Sequence, residues 1–256
     1  MPNSRQLVVA RGALAVASAI ASLLGHAPVQ AQSFSFNPND IVVAVEGNGS
    51  NTGSYLDNQA APLTLYQYAV NGTTSATAAG SLELPQTSIA GGNYAISGEY
   101  GSSSEGTLQL SGNGQYLTIM GYGTNADAYN STYDANGGGT ALAQSPNTGV
   151  GGANVSRVIA LIGANGSVDT TTAVTGVFNE NNPRSVFTQD GTSFYISGQG
   201  NKDNTGGVFY VSNLGATTAT AIIKATEKTV AKNPVPPRCP ILNQVSVIPD
   251  MLVTPL

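Results

Sequence analysis

The chain has 256 residues, of which only 9% are charged, with a net charge of −5 and 31 glycines. Between Gln32 and Ile223 three basic residues (Arg157, Arg184 and Lys202) stand against twelve aspartates and glutamates, which argues against a nucleic-acid surface and against attraction to an anionic membrane. His26 is the sole histidine and Cys239 the sole cysteine. Beyond position 26 this removes Ser-His-Asp triads, Cys-His dyads, histidine metal sites and internal disulfides.

The N-terminus reads as an export signal. Arg5 and Arg11 precede an apolar run, Gly12–Gly25, and the segment His26–Gln32 places Val29 and Ala31 at the −3 and −1 positions of a small-residue cleavage site. The apolar run has 14 residues, short of the roughly 20 a membrane-spanning helix needs. Residues 1–31 are therefore expected to be a signal peptide. The mature chain would start at Gln32, carry no transmembrane segment, and be secreted or held in a periplasm.

Short apolar-alternating runs follow, rich in Val, Ile, Tyr, Phe and Thr. They are Leu63–Val70, Leu82–Leu84, Thr107–Ser111, Tyr116–Tyr122, Arg157–Ile162, Val186–Thr188, Ser193–Ser197 and Gly207–Ser212. Period-2 alternation of this kind marks half-buried strands. Asn71-Gly72, Asn113-Gly114, Asn165-Gly166 and Asp190-Gly191 lie between runs, a pairing suited to type I′ hairpin turns. No stretch after the leader has a capped helical period.

Two units repeat the form strand, Asn/Asp-Gly, aromatic, apolar-x-Ile-x-Gly. These are Glu105–Gly121 and Pro183–Gly198, with turns 77 residues apart. A second hairpin type, Leu65–Gly72 and Ile159–Gly166, alternates with them. About 40 residues per unit is the spacing of propeller blades. The predicted fold of 32–223 is all-β: a β-propeller-like array of short antiparallel sheets whose faces are buried by neighbouring sheets.

The segments Phe36–Val43, Ser104–Ser111, Val155–Ala160, Val168–Thr171, Asn182–Phe187 and Leu214–Thr218 give the chain a resemblance to a family of exported, mostly uncharacterised bacterial proteins with β-propeller-like repeats. The resemblance implies the fold and an exported setting, and it carries over no catalytic residues. Residues 224–256 depart from it. This tail has no glycine, six of the thirteen prolines and four of the nine basic residues. It reads either as a native linker or as an abnormal end after a shortened gene, and the resemblance favours an incomplete propeller.

Arg157 and Arg184 are the first site candidates. Arg157 shares a strand face with Val155, Ile159 and Leu161. It is either a buried structural arginine paired with a carboxylate such as Glu99 or Glu105, or a channel-lining group that grips an anionic ligand. Arg184, after Pro183 near a strand start, has the same two readings. Glu99 and Glu105 flank a Gly-Ser loop. They could work as a carboxylate pair in hydrolysis, against the plainer reading as solvated loop acids. Asp127 in Gly123–Asp127 and Asp203 in Asn201–Asn204 offer hard oxygen ligands to calcium, against ordinary Asx turn chemistry. Neither loop matches a known calcium motif, and no other cofactor is expected. Five Asn-x-Ser/Thr sequons, at Asn48, Asn71, Asn130, Asn154 and Asn165, fit the chance frequency of an Asn- and Ser-rich chain.

The leading expectation is an exported, non-catalytic binding or surface module whose partner is a protein or a glycan. The alternatives are a hydrolase or lactonase on a propeller scaffold, using carboxylates or calcium, and a structural β-solenoid or adhesin.

Overall fold

A computed structural model describes residues 34–47, 55–72, 74–132, 139–148, 154–201, 204–224 and 246–247. The expected leader 1–31, most of the tail 224–256, Asp203 and Cys239 lie outside the described residues.

The body, from Phe34 onward, is a set of antiparallel strands. In chain order they are β1 (Ile41–Glu46), β2 (Ala60–Asn71), β3 (Ser75–Glu83), β4 (Ser97–Glu99), β5 (Gln109–Leu110), β6 (Tyr116–Tyr122), β7 (Arg157–Gly163), β8 (Val168–Val174), β9 (Pro183–Phe187), β10 (Phe194–Gly198), β11 (Gly207–Val211), β12 (Thr220–Lys224) and β13 (Ser246–Val247). The all-β expectation holds. One sheet runs β13-β1-β2-β4-β6-β7-β8, with β3 also on β2 and β5 on β6; the other runs β12-β11-β10-β9. Neither closes into a ring among the described residues.

Within this pairing, β5–β8 and β9–β12 are each a four-strand antiparallel meander in sequence order. Alternation then decides the layering. Val42, Leu63 and Leu65 from β1 and β2 meet Leu117, Ile119, Val158, Ala160 and Ile162 from β6 and β7 in one core. The opposite face of the same two central strands, Met120, Ile159 and Leu161, meets Val186, Phe194, Ile196, Phe209 and Val211 of the second sheet in another. Every residue of β7 is consequently buried. A strand covered on both faces reads as an unbroken apolar run, and Val158–Ile162 has that composition.

The short strand β4 links the two limbs of the larger sheet. It pairs with Ala60–Pro62 on one side and through Ser97 with Tyr122 on the other. A Cβ at Gly121 would stand 2.6 Å from the Ser97 carbonyl oxygen, so the crossing requires glycine there.

The Asn-Gly and Asp-Gly turns fall where expected, but their type differs. Gly72, Gly114, Gly166 and Gly191 have positive φ, whereas Asn71, Asn113, Asn165 and Asp190 do not. Type I′ would need both residues left-handed. Gly114 N donates to Ser111 O at 2.9 Å and Gly166 N to Gly163 O at 2.9 Å, closing type I turns with a left-handed glycine at the fourth position. The side chain of Asn113 explains the preference: its Oδ1 accepts from Gln115 N at 3.0 Å and Ser111 Oγ at 2.7 Å, bonds that hold the asparagine in an ordinary conformation.

A short helix, α1 (Ala126–Asn130), occupies part of the segment proposed as a calcium loop. Five residues are too few to show a hydrophobic period. The signal was the cap: Asn125 Oδ1 accepts from Ala128 N at 2.8 Å.

Candidate functional site

Arg157 opens β7 with no solvent exposure. Its guanidinium donates to the carbonyl oxygens of Val155 (2.7 Å), Ala143 (3.5 Å), Ser145 (3.0 Å), Phe178 (2.9 Å) and Asn181 (3.2 Å), and to Ser145 Oγ (3.3 Å). It also lies over the Tyr122 ring, 4.7 Å from the centroid. The expected carboxylate pairing is replaced by backbone carbonyls. The planar fork supplies several donors in fixed directions, and so can serve two chain segments at once.

Those segments are Ala141–Ser145 and Phe178–Asn181, and both border a cleft of about 550 Å³. Its lining is Asn58, Thr140, Gln144, Asn181, Asn182 and Asn201, with Ala141, Ala143 and two carboxylates, Glu99 and Glu180. Asn147, also buried, reinforces the junction: its N donates to Asn179 Oδ1 at 2.9 Å, and its Nδ2 donates to Val177 O. Phe178 and Glu180 both adopt positive φ, each at 51°, a strained conformation for side-chain-bearing residues. The Phe178 N–H to Thr205 O bond of 2.7 Å and the Arg157 contacts hold the loop in it.

Three carboxylates gather around β4, one of which, Glu99, lines the cleft. Glu99 is buried, and its Oε2 accepts from Ala143 N. Glu105 returns over the Gly-Ser loop, accepting from Glu99 N at 3.1 Å and from the Tyr122 hydroxyl at 2.6 Å. Glu46 ends β1, with its Oε1 3.0 Å from where a Cβ on Gly98 would stand. Burial, with the charges of Glu105 and Glu99, pushes the Glu46 carboxyl up to about 9. Burial also pushes Glu105 up to about 8 against the Tyr122 hydrogen bond. Glu99 is raised by burial, with the Ala143 N–H and Arg157 opposing. Neighbouring carboxyls in a poorly solvated place favour their neutral forms.

The structure thus brings together three of the sequence candidates, Arg157, Glu99 and Glu105, around Tyr122. The solvated-loop reading of the two glutamates is overturned, because the loop folds their carboxyls inward onto N–H and O–H donors. Reading Arg157 as a ligand grip is likewise corrected: with no exposure it holds the walls and does not line the cleft. Arg184 lies apart, exposed, donating to Gln199 Oε1 at 3.0 Å. Asp127 is exposed in the first turn of α1. Among the described residues no three Asp, Glu, His or Cys form a metal-holding group. Sequence reasoning missed Glu46, Tyr122, Asn147 and the asparagine-rich lining, which are far apart along the chain and share no motif.

Comparison with protein-family models, curated proteins and solved structures found no match to this chain.

Proposed function

We propose that this chain is an exported, non-catalytic binding module on a β-propeller-like scaffold, and that it holds a neutral, hydroxyl-rich ligand such as a glycan in the Arg157-braced cleft. The observation that carries the reading is the brace itself. A fully buried guanidinium fastens both bordering segments, so the cleft is formed before a ligand arrives and little ordering is needed on binding. The volume lies within the range of small-ligand pockets. The lining includes six neutral amide or hydroxyl side chains, groups with both donor and acceptor capacity, the chemistry that matches sugar hydroxyls. Among its described lining residues there is no Lys or Arg to attract an anion. The propeller-like scaffold is supported by the two successive four-strand meanders, and the exported setting by the leader-like N-terminus.

The test is equilibrium binding to a panel of neutral oligosaccharides, comparing the wild type with Gln144→Ala. Gln144 is exposed at the cleft, so the variant is expected to melt like the wild type. Loss of about one hydrogen bond should weaken binding roughly 3- to 10-fold. Absence of binding to every neutral sugar, or binding indifferent to Gln144→Ala, sinks the proposal.

A second reading, glycan hydrolysis, rests on one observation: Glu99 is raised by burial and lines the cleft together with Glu180, as an acid paired with a second carboxylate would. It is distinguished by sugar release that disappears in Glu99→Gln while binding persists.

A further inference from the structure

We infer that the outer face of β9–β12 is a self-association surface whose occupant is the same face of a second copy of this chain. The two faces of this sheet differ. Its inner rows, Val186, Phe194, Ile196, Phe209 and Val211, are in the second core. The register places Phe187, Tyr195 and Tyr210 side by side on the outer face. The two tyrosine rings are 5.4 Å apart. A second outer row consists of Ser185, Ser197, Val208 and Ile223. Phe187, Tyr195 and Ile223 are 39%, 47% and 63% exposed, and an exposed apolar cluster on one sheet face marks an interaction site.

Two features select a second copy. The first is charge. Neither outer row contains an ionisable acid or base apart from the tyrosine hydroxyls, in a chain whose 32–223 segment carries twelve acids against three bases. Two copies repel through most of their surfaces, and this acid-free face is where they can approach without opposing carboxylates. The charge beside it on β9 is Arg184, exposed and donating to Gln199 Oε1 at 3.0 Å, so a basic partner would find no counter-charge there.

The second is shape. One row is bulky and aromatic; the other begins with two serines and a valine. A two-fold axis lying in the interface, across the strands and between the rows, turns the second copy face down and exchanges its rows. Phe187, Tyr195 and Tyr210 of each copy then lie over Ser185, Ser197 and Val208 of the other, and Thr220 over Ile223, a self-complementary fit. Face-to-face packing is already how this chain buries β6 and β7. Each copy offers only a few exposed apolar side chains here, far fewer than the roughly 20–30 residues a side of a stable interface, so the dimer is reversible and dependent on concentration.

The test is sedimentation velocity of the whole chain, as purified, from about 1 μM to about 1 mM, a range that brackets weak dimer constants. A shift from monomer to dimer across that range is expected. Tyr195→Lys should weaken it about tenfold or more by placing a charge in each half of the interface. Phe187→Ser, with no added charge, should weaken it in the same direction. Leu56→Lys, at an exposed apolar position elsewhere, should leave it unchanged. Thermal melts of the variants separate weakened association from misfolding. A monomer throughout overturns the inference, as does dimerisation that survives both Tyr195→Lys and Phe187→Ser.

Discussion

Replacing Arg157 with methionine is expected to destabilise the fold by about 3–5 kcal/mol, lowering the melting temperature by roughly 10 °C. The reason is the number of acceptors that lose a donor. Five carbonyls and the Ser145 hydroxyl share the N–H groups of this one guanidinium at a site with no solvent exposure, and of these Phe178 O has a further donor in Asn181 N. An unsatisfied buried acceptor costs about 1–3 kcal/mol, and local movement will recover part of that cost. Arg157→Lys should recover less than half of the loss, because an ammonium has three donors at one point and cannot serve Ala141–Ser145 and Phe178–Asn181 together. Thermal melts of the three proteins decide the matter. A methionine variant melting within about 2 °C of wild type would show that the brace adds nothing to stability.

Stability is expected to fall as pH rises. The carboxyls of Glu46 and Glu105 are held up to about 9 and about 8 in the folded protein, from an ordinary 4.5. Between those values the folded chain keeps protons that the unfolded chain has released, so unfolding releases protons and higher pH favours it. The stabilisation is complete below about pH 4.5 and is lost progressively as pH climbs through 8 and 9. Each group contributes a slope of up to about 1.4 kcal/mol per pH unit. The two are neighbours and titrate as a pair, so the total is on the order of several kcal/mol, a large part of a domain's stability. Melting temperatures measured from pH 5 to pH 9 should therefore decline. Glu46→Gln should flatten the decline and melt above wild type at pH 8, because it keeps a neutral side chain in place without a proton to lose. A flat wild-type profile from pH 5 to pH 8 contradicts the argument.

The strands were legible where β-branched, aromatic and other apolar residues concentrate, either alternating or as an unbroken run. Tyr116–Tyr122 matches β6 residue for residue, and Arg157–Ile162 lacks only the last residue of β7. β3 was largely missed: Ser75–Glu83 is mostly Ala, Ser, Thr and Gly and largely exposed, so no hydrophobic period marks it, and its pairing with β2 sustains it. Of the residues expected to share a strand face with Arg157, Ile159 and Leu161 lie together in the second core and Val155 in a separate cluster with Tyr122. The identity of its partners was not legible. A buried arginine calls for acceptors, but whether they are carboxylates or carbonyls depends on where distant loops pass. The cleft was invisible for the same reason. Asn58, Gln144, Asn181 and Asn201 converge from separate connections between strands onto Glu99 of β4, and in a chain rich in asparagine none of these amides stands out locally.

The central position of β7 sets an order of opening. Its amide protons lie in a strand paired on both edges, with β6 and with β8, and covered on both faces. They can exchange with solvent only when the surrounding layers separate, so their exchange should report global unfolding. β12 pairs on one edge within its sheet and exposes Ile222 and Ile223, so its amides should exchange through smaller, more frequent openings. The protein is thus expected to loosen from the rim of the second sheet inward, with the Arg157 end of β7 among the last parts to give way.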